Sequence, residues 1–232
     1  SYIDPPNRAP GDEYLGFTFS QATKDIEATC DFVMSSPDFG ARDIFLVSYS
    51  LGAVEGRRAV ARDAGRRVKG WVSVVGMVDL QSGLRTVSGG IDYAYGYMNG
   101  VLFGRQELVG VVADMGFTGT DAMENRLVFA EDARCDMAKI EVPVTWIHGR
   151  YDAWMDLWRV QELLSAGDTS KRRLLEVPTG HQMRSSREAL ETFQLVAQEV
   201  GKMALGVDVT AATPDLGELQ RLGSAERSRR PA

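Results

Sequence analysis

A serine lies just after an apolar segment and just before a helix pattern. The sequence there is Ile44-Phe-Leu-Val-Ser-Tyr-Ser-Leu-Gly52, in which the apolar residues 44–47 lead into the serine turn. A serine on such a strand-to-helix turn exposes its hydroxyl for nucleophilic attack, provided that its neighbours are small, and Ser48 is small although glycine is usual there. The run predicts Ser50 as a nucleophile and the backbone N–H of Leu51 as an oxyanion donor. The alternative is that Ser50 only caps the helix.

Attack by a serine requires a base that removes its proton, and histidine is the most common one. The sequence contains two histidines, His148 and His181. His181 lies in the loop Thr179-Gly-His-Gln182 after the last predicted strand, whereas His148 ends a strand, where its ring could point away from the serine. These positions predict His181 as the base and a structural role for His148.

The base in turn needs a carboxylate that holds it in the correct tautomer. Asp152 lies in the loop after a predicted strand, Asp156 lies one helical turn later, and Asp168 is a more distant rival. Asp152 is preferred because it lies in the loop at the strand end, and the alternative is that it caps a helix. Ser50, Asp152 and His181 follow the chain order Ser…Asp…His found in α/β-hydrolases.

Alternating strand and helix patterns predict how these three residues meet. The predicted elements are a helix over 18–35, a strand over 44–47, a helix over 51–64, strands over 68–75 and 142–147, a helix around 157–164, a strand over 173–177 and a long helix that begins at Ser185. This alternation predicts a doubly wound, mainly parallel sheet with right-handed crossovers. Because chemistry gathers at the carboxyl ends of parallel strands, all three side chains are expected at one edge.

The strand–helix rhythm breaks between residues 76 and 136. The core is predicted to comprise 1–75 and 137–205, with 76–136 as a cap and 206–232 as a tail. The cap is rich in glycine and large apolar residues, which is typical of an insertion over a pocket. Candidate substrate-binding residues are Tyr49, Tyr93, Tyr95, Met98 and Phe103. The alternative is that the cap packs only on its own small core.

Composition excludes several classes of protein. The formal net charge is -6 and the sequence pI is about 5.1, so general nucleic-acid binding is not expected. No apolar run reaches the roughly 18 residues of a membrane span, and no signal peptide is visible. Cys30 and Cys135 form no metal-ligand spacing with the histidines, and two distant cysteines fit a reduced, cytoplasmic protein. No cofactor or metal site is predicted.

The chain resembles the acyl-transferase (acyl-acyl-carrier-protein thioesterase) subunit of bacterial luminescence fatty-acid reductase complexes. The similarity runs from the first helix to the tail and includes the serine turn and the His181 loop. It also includes Gly76-Met-Val-Asp-Leu80, Gly90-Ile-Asp-Tyr93, Asp152-Ala-Trp154 and the tail pattern from Val207 to Leu216.

The resemblance implies an α/β-hydrolase fold with a cap insertion. It further implies an acyl-serine intermediate formed from a fatty acyl thioester on acyl carrier protein or coenzyme A, followed by release to water or another acceptor. By position it supports Ser50, Asp152 and His181. Most of the cap differs in detail, so a preference for acyl chain length does not carry over.

The front of the chain departs from this family. Ser1–Gly11 resembles the loop after the fourth strand of the fold, so roughly 60–80 residues of earlier strands, helix and connections are expected to precede it. That part would carry the second oxyanion donor and would cover the strand at 44–47. We therefore expect this chain to be a fragment or a processed form.

Two other functions fit the same residues. One is a carboxylesterase or lipase acting on oxygen esters, which passes through the same acyl-serine. The other is a catalytically silent binding module of the same fold. Separately, the tail contains the arginine cluster Arg221, Arg227, Arg229 and Arg230, which is either a candidate docking surface for an acidic carrier protein or a solvated terminus.

Overall fold

The computed structural model describes residues 16–109, 111–183, 185–210, 217 and 221. The strands are β1 (Ile44–Tyr49), β2 (Val68–Val74), β3 (Arg105–Leu108), β4 (Val111–Asp114), β5 (Val144–Gly149) and β6 (Arg172–Val177). The helices are α1 (Phe19–Ser35), α2 (Gly52–Asp63), α3 (Leu80–Val87), α4 (Tyr93–Met98), α5 (Met115–Glu124), α6 (Ala130–Met137), α7 (Leu157–Leu164) and α8 (Ser186–Leu205), with a 3-10 turn at Thr169–Lys171.

The main sheet has the order β1-β2-β5-β6, and every neighbouring pair is parallel. Tyr49 is in register with Val74, and Val74 with Ile147, so the strands end at a common edge. The mainly parallel sheet predicted from the alternating pattern is confirmed. Its carboxyl edge is the place where Ser50, Asp152 and the loop after β6 come together.

The two central strands hold the core because helices cover both of their faces. Trp71 and Trp146 lie in the larger apolar cluster, with their rings edge to face at 5.9 Å. Val72 and Ile147 belong to a second cluster that includes Val196 of α8. Full burial of side chains such as Val72 and Ile147 contributes about 1.5–3 kcal/mol each. This burial on both faces explains why β2 and β5 are rich in valine, tryptophan and isoleucine.

The prediction that residues 44–47 are buried on both faces is wrong for the described part of the chain. β1 is an edge strand, and Val47 and Tyr49 are 43% and 45% exposed. The reason is that no described strand pairs with its outer side. An open apolar edge is where a further strand pairs, so the expected N-terminal strands stay a prediction. Ser1–Gly11 lies outside the described residues.

Helices α1 and α8 each begin just after a residue whose side chain caps the first turn. Thr18 accepts a hydrogen bond from the Gln21 N–H at 3.2 Å ahead of α1. Ser185 accepts one from the Glu188 N–H at 3.1 Å ahead of α8. Such caps satisfy backbone donors that a helix leaves unpaired, and each contributes about 1 kcal/mol.

The described part of 76–136 contributes no strand to the main sheet. It contains α3 to α6 and the antiparallel pair β3–β4. Tyr93, Leu108 and Met115 form a separate apolar cluster, and the Tyr93 and Phe103 rings lie 4.9 Å apart. Packing of this kind matches the alternative in which the cap has its own small core. The cap and tail boundaries stay predictions.

Parts of the expected tail fall beyond the description. Residues 211–216, which carry part of the tail resemblance, and the arginines at 227, 229 and 230 lie outside the described residues. Among the helices that are described, none combines the length and apolar character needed to cross a bilayer.

Candidate active site

Ser50 sits on a sharp turn between β1 and α2. Its φ is +52°, a left-handed conformation that costs a residue with a side chain about 1–3 kcal/mol. Three backbone hydrogen bonds hold it there. The Ser50 N–H donates to the Val74 carbonyl at 3.0 Å, and the Ser50 carbonyl accepts from the N–H groups of Ala53 at 3.1 Å and Met77 at 3.0 Å. Strain that the surroundings enforce is typical of functional turns.

The small neighbours of the turn have a packing reason. Ser48 is buried, and its hydroxyl accepts a hydrogen bond from Trp71 Nε1 at 2.9 Å. A Cβ at Gly56 would lie 3.3 Å from the Ser48 Cβ, so α2 crosses close to β1 at this point. Serine therefore fits where glycine is usual because it is small and because its hydroxyl satisfies a buried indole.

His181 joins the nucleophile and the carboxylate. Its Nε2 lies 2.6 Å from the Ser50 Oγ. Its Nδ1 lies 2.9 Å from Asp152 Oδ2 and 3.1 Å from Oδ1. A carboxylate only accepts, so Nδ1 carries the proton and Nε2 is left to accept the Ser50 O–H. The structure thus brings together all three residues of the predicted triad.

Asp152 serves two purposes at once. Its side chain is fully buried, and Oδ1 accepts from the backbone N–H groups of Trp154 at 2.8 Å and Met155 at 3.2 Å. These donors compensate the cost of burying the carboxylate and fix its direction. The local capping role considered as an alternative is therefore present together with the contact to His181.

The rival carboxylates lie elsewhere. Asp156 precedes α7 and is 68% exposed, with Arg159 as its ion-pair partner at 3.8 Å. Asp168 caps the 3-10 turn through Ser170. Within the described chain, neither makes a hydrogen bond or an ion pair with His181.

The loops after β5 and β6 are held against each other by their backbones. The Tyr151 N–H donates to the Thr179 carbonyl at 3.0 Å, and the Arg150 N–H donates to the Val177 carbonyl at 2.8 Å. A Cβ at Gly149 would lie 2.6 Å from the Thr179 oxygen, so only glycine permits this approach. The contact fixes the distance between the loop that carries Asp152 and the loop that carries histidine.

Two aromatic side chains complete the setting of His181. The Trp154 ring stacks on the imidazole with centroids 4.3 Å apart and an interplanar angle of 26°. The Tyr49 hydroxyl donates to the His181 carbonyl at 2.8 Å. Tyr49 was predicted as a substrate contact, and Trp154 was missed as a site residue. The signal that could have indicated Trp154 was its position two residues after the carboxylate.

The remaining candidates are spread over the fold. The backbone N–H of Leu51 makes no hydrogen bond to a described residue and stands at the start of α2. Tyr93 and Phe103 pack in the separate cap cluster, while Tyr95 and Met98 are 63% and 58% exposed. None of these four cap residues lines the cavity of about 300 Å³ at the catalytic edge, which is formed by Tyr151, Ala153, Trp154, Gly180, His181 and Met183 among others.

His148 is buried and is not hydrogen-bonded to the triad in the described structure. Burial lowers the pKa of its imidazole, which favours the neutral ring. In the described structure it makes no hydrogen bond to Ser50 or Asp152, and its Nδ1 has no partner. The structural role expected for it stays a prediction.

Glu55 is a buried acid that sequence reasoning did not single out. It lies in the first turn of α2, and burial raises the pKa of its carboxyl to about 7. Its Oε2 has no hydrogen-bond partner in the described structure. The side chain borders an apolar groove of about 390 Å³ between α1 and β1. A carboxyl in such a groove is predominantly protonated in mildly acidic solution.

Across the described residues, no cluster of three or more histidine, cysteine, aspartate or glutamate side chains is arranged to hold a metal ion. The three aligned side chains themselves can move a proton from Ser50 to His181 and stabilise the resulting imidazolium by the Asp152 carboxylate.

Comparison with known proteins identifies the fold of this chain. No family model matches the sequence, and no curated protein matches it. A monoacylglycerol lipase from Paleococcus ferrophilus aligns with a TM-score of 0.57 and 16% identity, over 82% of this chain and 77% of that chain. Est1E from Butyrivibrio proteoclasticus, in a structure with ferulic acid bound, aligns with a TM-score of 0.62 and 16% identity, over 81% of this chain and 70% of that chain.

A structure from the metagenome-derived lipolytic enzymes LipS and LipT aligns with a TM-score of 0.55 and 15% identity, over 78% of this chain and 73% of that chain. Identities this low establish a shared architecture and leave the substrate open. The parallel sheet, its flanking helices and these alignments show that the chain has the α/β-hydrolase fold.

Proposed function

We propose that this protein is a serine acyltransferase or thioesterase that cleaves a fatty acyl thioester through an acyl-serine intermediate. The observation that carries the proposal is the continuous hydrogen-bonded line from Ser50 through His181 to Asp152, with contacts of 2.6 Å and 2.9 Å. A serine is a weak nucleophile until a base within hydrogen-bond reach removes its proton. These distances meet that requirement.

In the first half of the reaction, His181 Nε2 takes the Ser50 proton as Oγ attacks the acyl carbonyl carbon. The oxygen of the tetrahedral intermediate accepts a hydrogen bond from the Leu51 N–H at the start of α2, where the helix dipole also favours negative charge. Collapse of the intermediate breaks the carbon–sulfur bond. The imidazolium gives its proton to the leaving thiolate, which departs as a thiol, and the acyl group remains on Ser50.

In the second half, water or another acceptor replaces the thiol. His181 removes a proton from this acceptor as it attacks the acyl-serine, and it then returns the proton to Ser50 Oγ. Asp152 stays ionised throughout and balances the charge of the imidazolium. A second oxyanion donor is expected from the N-terminal part of the fold, as the family resemblance implies.

The choice of a thioester rests on the resemblance to the luminescence acyl-transferase subunit. Acyl carrier protein or coenzyme A would then carry the acyl group. An acidic carrier protein would require a basic surface, for which the arginines of the tail are the proposed candidate. The cap residues Tyr93, Tyr95, Met98 and Phe103, together with Tyr49, stay the proposed contacts of the acyl chain.

A second candidate is a carboxylesterase or lipase on oxygen esters. It is favoured by the names of the similar folds, which include a monoacylglycerol lipase. The silent binding module is not favoured, because a strained serine held 2.6 Å from a histidine has no evident use in simple binding.

Covalent labelling tests the proposal. A fluorophosphonate probe should attach to the wild-type protein and fail to attach to Ser50→Ala. A variant at an exposed serine outside the site, Ser165→Ala, is the matched control and should label as the wild type does. Turnover of a long-chain acyl thioester is then compared with that of a short nitrophenyl ester. Labelling that persists in Ser50→Ala would exclude Ser50, and a strong preference for the oxygen ester would favour the second candidate.

A further inference from the structure

The chain that leaves β2 wraps around the backbone of Ser50. This exit segment, residues 74–78, consists of the last residue of β2 and the four residues that follow it. The Val74 carbonyl accepts the Ser50 N–H at 3.0 Å, and the Met77 N–H donates to the Ser50 carbonyl at 3.0 Å. One short segment therefore holds both the N–H and the carbonyl of the nucleophile, so a shift of the exit segment would shift the serine turn.

The exit segment is itself strained. Val75 has a φ of +41°, a left-handed conformation that a β-branched residue rarely adopts. A Cβ at the next residue, Gly76, would lie 2.7 Å from the Ala53 Cβ and 2.7 Å from the Trp146 ring, so the segment is pressed against α2 and β5. Strained backbone persists only where the surrounding structure enforces it. The exit segment therefore depends on contacts from neighbouring elements.

Arg57 provides one of these contacts from inside the core. It lies on α2, seven residues after Ser50, and is only 1% exposed. Its Nη1 donates a hydrogen bond of 2.9 Å to the Val78 carbonyl, at the far end of the exit segment. A hydrogen bond with a charged donor is about twice as strong as a neutral one, so this contact can hold a strained backbone in place.

The charge of Arg57 is poorly compensated by the rest of the described structure. Its Nε has no hydrogen-bond partner there. The nearby carboxylates have other partners, because Asp79 accepts the Ser82 N–H at 2.7 Å and Asp136 pairs with Arg58 at 2.6 Å. Burial lowers the pKa of the Arg57 guanidinium to about 10, so it is still charged at neutral pH. An apolar residue of similar volume would avoid the cost of burying this charge, which indicates that the hydrogen bond to the Val78 carbonyl has a function.

We propose that Arg57 is a positioning residue of the active site, which fixes the exit segment so that the Met77 N–H keeps Ser50 in its strained conformation. The effect passes through two hydrogen bonds, from Arg57 to the Val78 carbonyl and from the Met77 N–H to the Ser50 carbonyl. The proposal rests on the role of Ser50 as the nucleophile proposed above. It adds a buried group that controls the conformation of that residue.

The rate of labelling by a fluorophosphonate measures the reactivity of Ser50. Arg57→Met should lower the second-order rate constant of labelling about 10-fold, because the charged hydrogen bond to the exit segment is lost. Arg57→Lys should restore this rate constant to within about threefold of the wild type, because its flexible ammonium group can still donate to the Val78 carbonyl. Recovery with lysine would distinguish the hydrogen bond from the bulk of the side chain, which methionine also supplies.

Arg58→Met is the matched control. Arg58 is the next residue on α2, and its side chain is also largely buried, at 13% exposure. It pairs with Asp136 and donates to the carbonyls of Asn125 and Arg126, none of which belongs to the exit segment. This variant should lower the melting temperature more than Arg57→Met does, because it leaves a buried carboxylate unpaired. Its folded form should nevertheless label at the wild-type rate, whereas a purely structural role of Arg57 would make the labelling rates follow the melting temperatures.

Hydrogen exchange of the Met77 amide tests the same contact without any labelling reaction. Exchange is followed by NMR under conditions in which global unfolding is slower than local opening. The protection of this amide should fall about 10-fold in Arg57→Met, as expected for the loss of a charged hydrogen bond that holds the segment. It should stay at the wild-type value in Arg58→Met.

Wild-type labelling and exchange in Arg57→Met, or equal losses in Arg58→Met, would overturn the proposal. If Arg57→Met does not fold, Arg57→Gln takes its place, because its amide is neutral and its side chain is shorter. Failure of both variants to fold would show that Arg57 serves the core alone, which also overturns the proposal. A missing thioester turnover together with the expected exchange differences would exclude the proposed function alone. Thioester turnover on Ser50 that is unaffected in Arg57→Met would exclude the positioning role alone.

Discussion

The hydroxyl of Tyr49 donates a 2.8 Å hydrogen bond to the backbone carbonyl of His181. This single bond joins the residue before the nucleophile to the residue that acts as its base, across 132 positions of sequence. It constrains the His181 loop at the point where a shift of one ångström would separate Nε2 from Ser50 Oγ. Tyr49 is therefore a positioning residue in addition to its predicted place in the pocket.

Tyr49→Phe should lower kcat about 5- to 10-fold, because a neutral hydrogen bond contributes about 1 kcal/mol. The effect should fall on kcat more than on KM, since the imidazole is misplaced while the ring remains. The matched control is Tyr97→Phe, which removes a buried hydroxyl with no partner among the described residues. Steady-state kinetics of both variants check this, and equal losses in the two would contradict a positioning role.

Asp152→Asn should lower kcat/KM by about 10³–10⁴-fold, because a neutral amide neither stabilises the imidazolium nor enforces the required tautomer. The amide oxygen can still accept from Trp154 and Met155, so the melting temperature should change little. Asp152→Ala should be both inactive and destabilised, since it leaves these buried N–H groups unpaired. Kinetics and thermal unfolding check the pair, with Asp168→Asn as the control for an exposed capping aspartate. Retained activity in Asp152→Asn would exclude Asp152 as the orienting carboxylate.

Trp154→Leu should reduce kcat about 5- to 10-fold, whereas Trp154→Phe should retain most of the activity. An aromatic face stacked on the imidazole stabilises its protonated form by about 1 kcal/mol, and leucine has no such face. Leucine retains bulk and apolar character, so the comparison isolates the ring. Similar activities for the leucine and phenylalanine variants would show that only bulk matters.

Glu55 should make folding stability depend on pH. Burial raises the pKa of its carboxyl from 4.5 to about 7, so the folded state binds a proton that the unfolded state releases. The contribution of Glu55 to stability is therefore fully present below about pH 4.5 and is lost as the pH rises to about 7. The loss is on the order of 3 kcal/mol.

Glu55→Gln should remove the pH-dependent contribution of this carboxyl to folding stability. The urea concentration at the unfolding midpoint should therefore fall less between pH 5 and 7.5 in this variant than in the wild type. Glu131→Gln, at an exposed acid of α6, should leave the decline unchanged. An identical pH profile for Glu55→Gln and the wild type would show that this carboxyl is not held neutral by burial.

Much of the site was accessible from the sequence because its signals are local. Buried parallel strands are rich in valine and other apolar residues, as 68–75 is, and a residue that directly follows such a strand lies at the carboxyl edge. Ser50, Asp152 and His181 each carry that signal. The helix caps at Thr18 and Ser185 also depend on local sequence, because the donor and acceptor of each capping hydrogen bond lie three residues apart.

The features that were not predicted from the sequence depend on contacts between residues far apart in the chain. The bond from Tyr49 to His181 and the stacking of Trp154 depend on how distant loops meet. Glu55 reads as an ordinary acid in the first turn of a helix, where the dipole favours it. It is buried because α2 lies between the sheet and other helices. The sequence of β1 is typical of a central strand. How exposed the strand is depends on whether another strand pairs with its outer edge, and the sequence of β1 does not contain that information.

The most direct test of the account is intact-protein mass spectrometry after rapid quenching of the protein with a long-chain acyl thioester. The account predicts one added acyl mass, located by peptide mapping on Ser50 and absent from Ser50→Ala. It also predicts accumulation of the adduct when acceptors that compete with water are withheld. Thioester turnover with no adduct at any quench time, or an acyl mass located on another residue, would contradict the central claim.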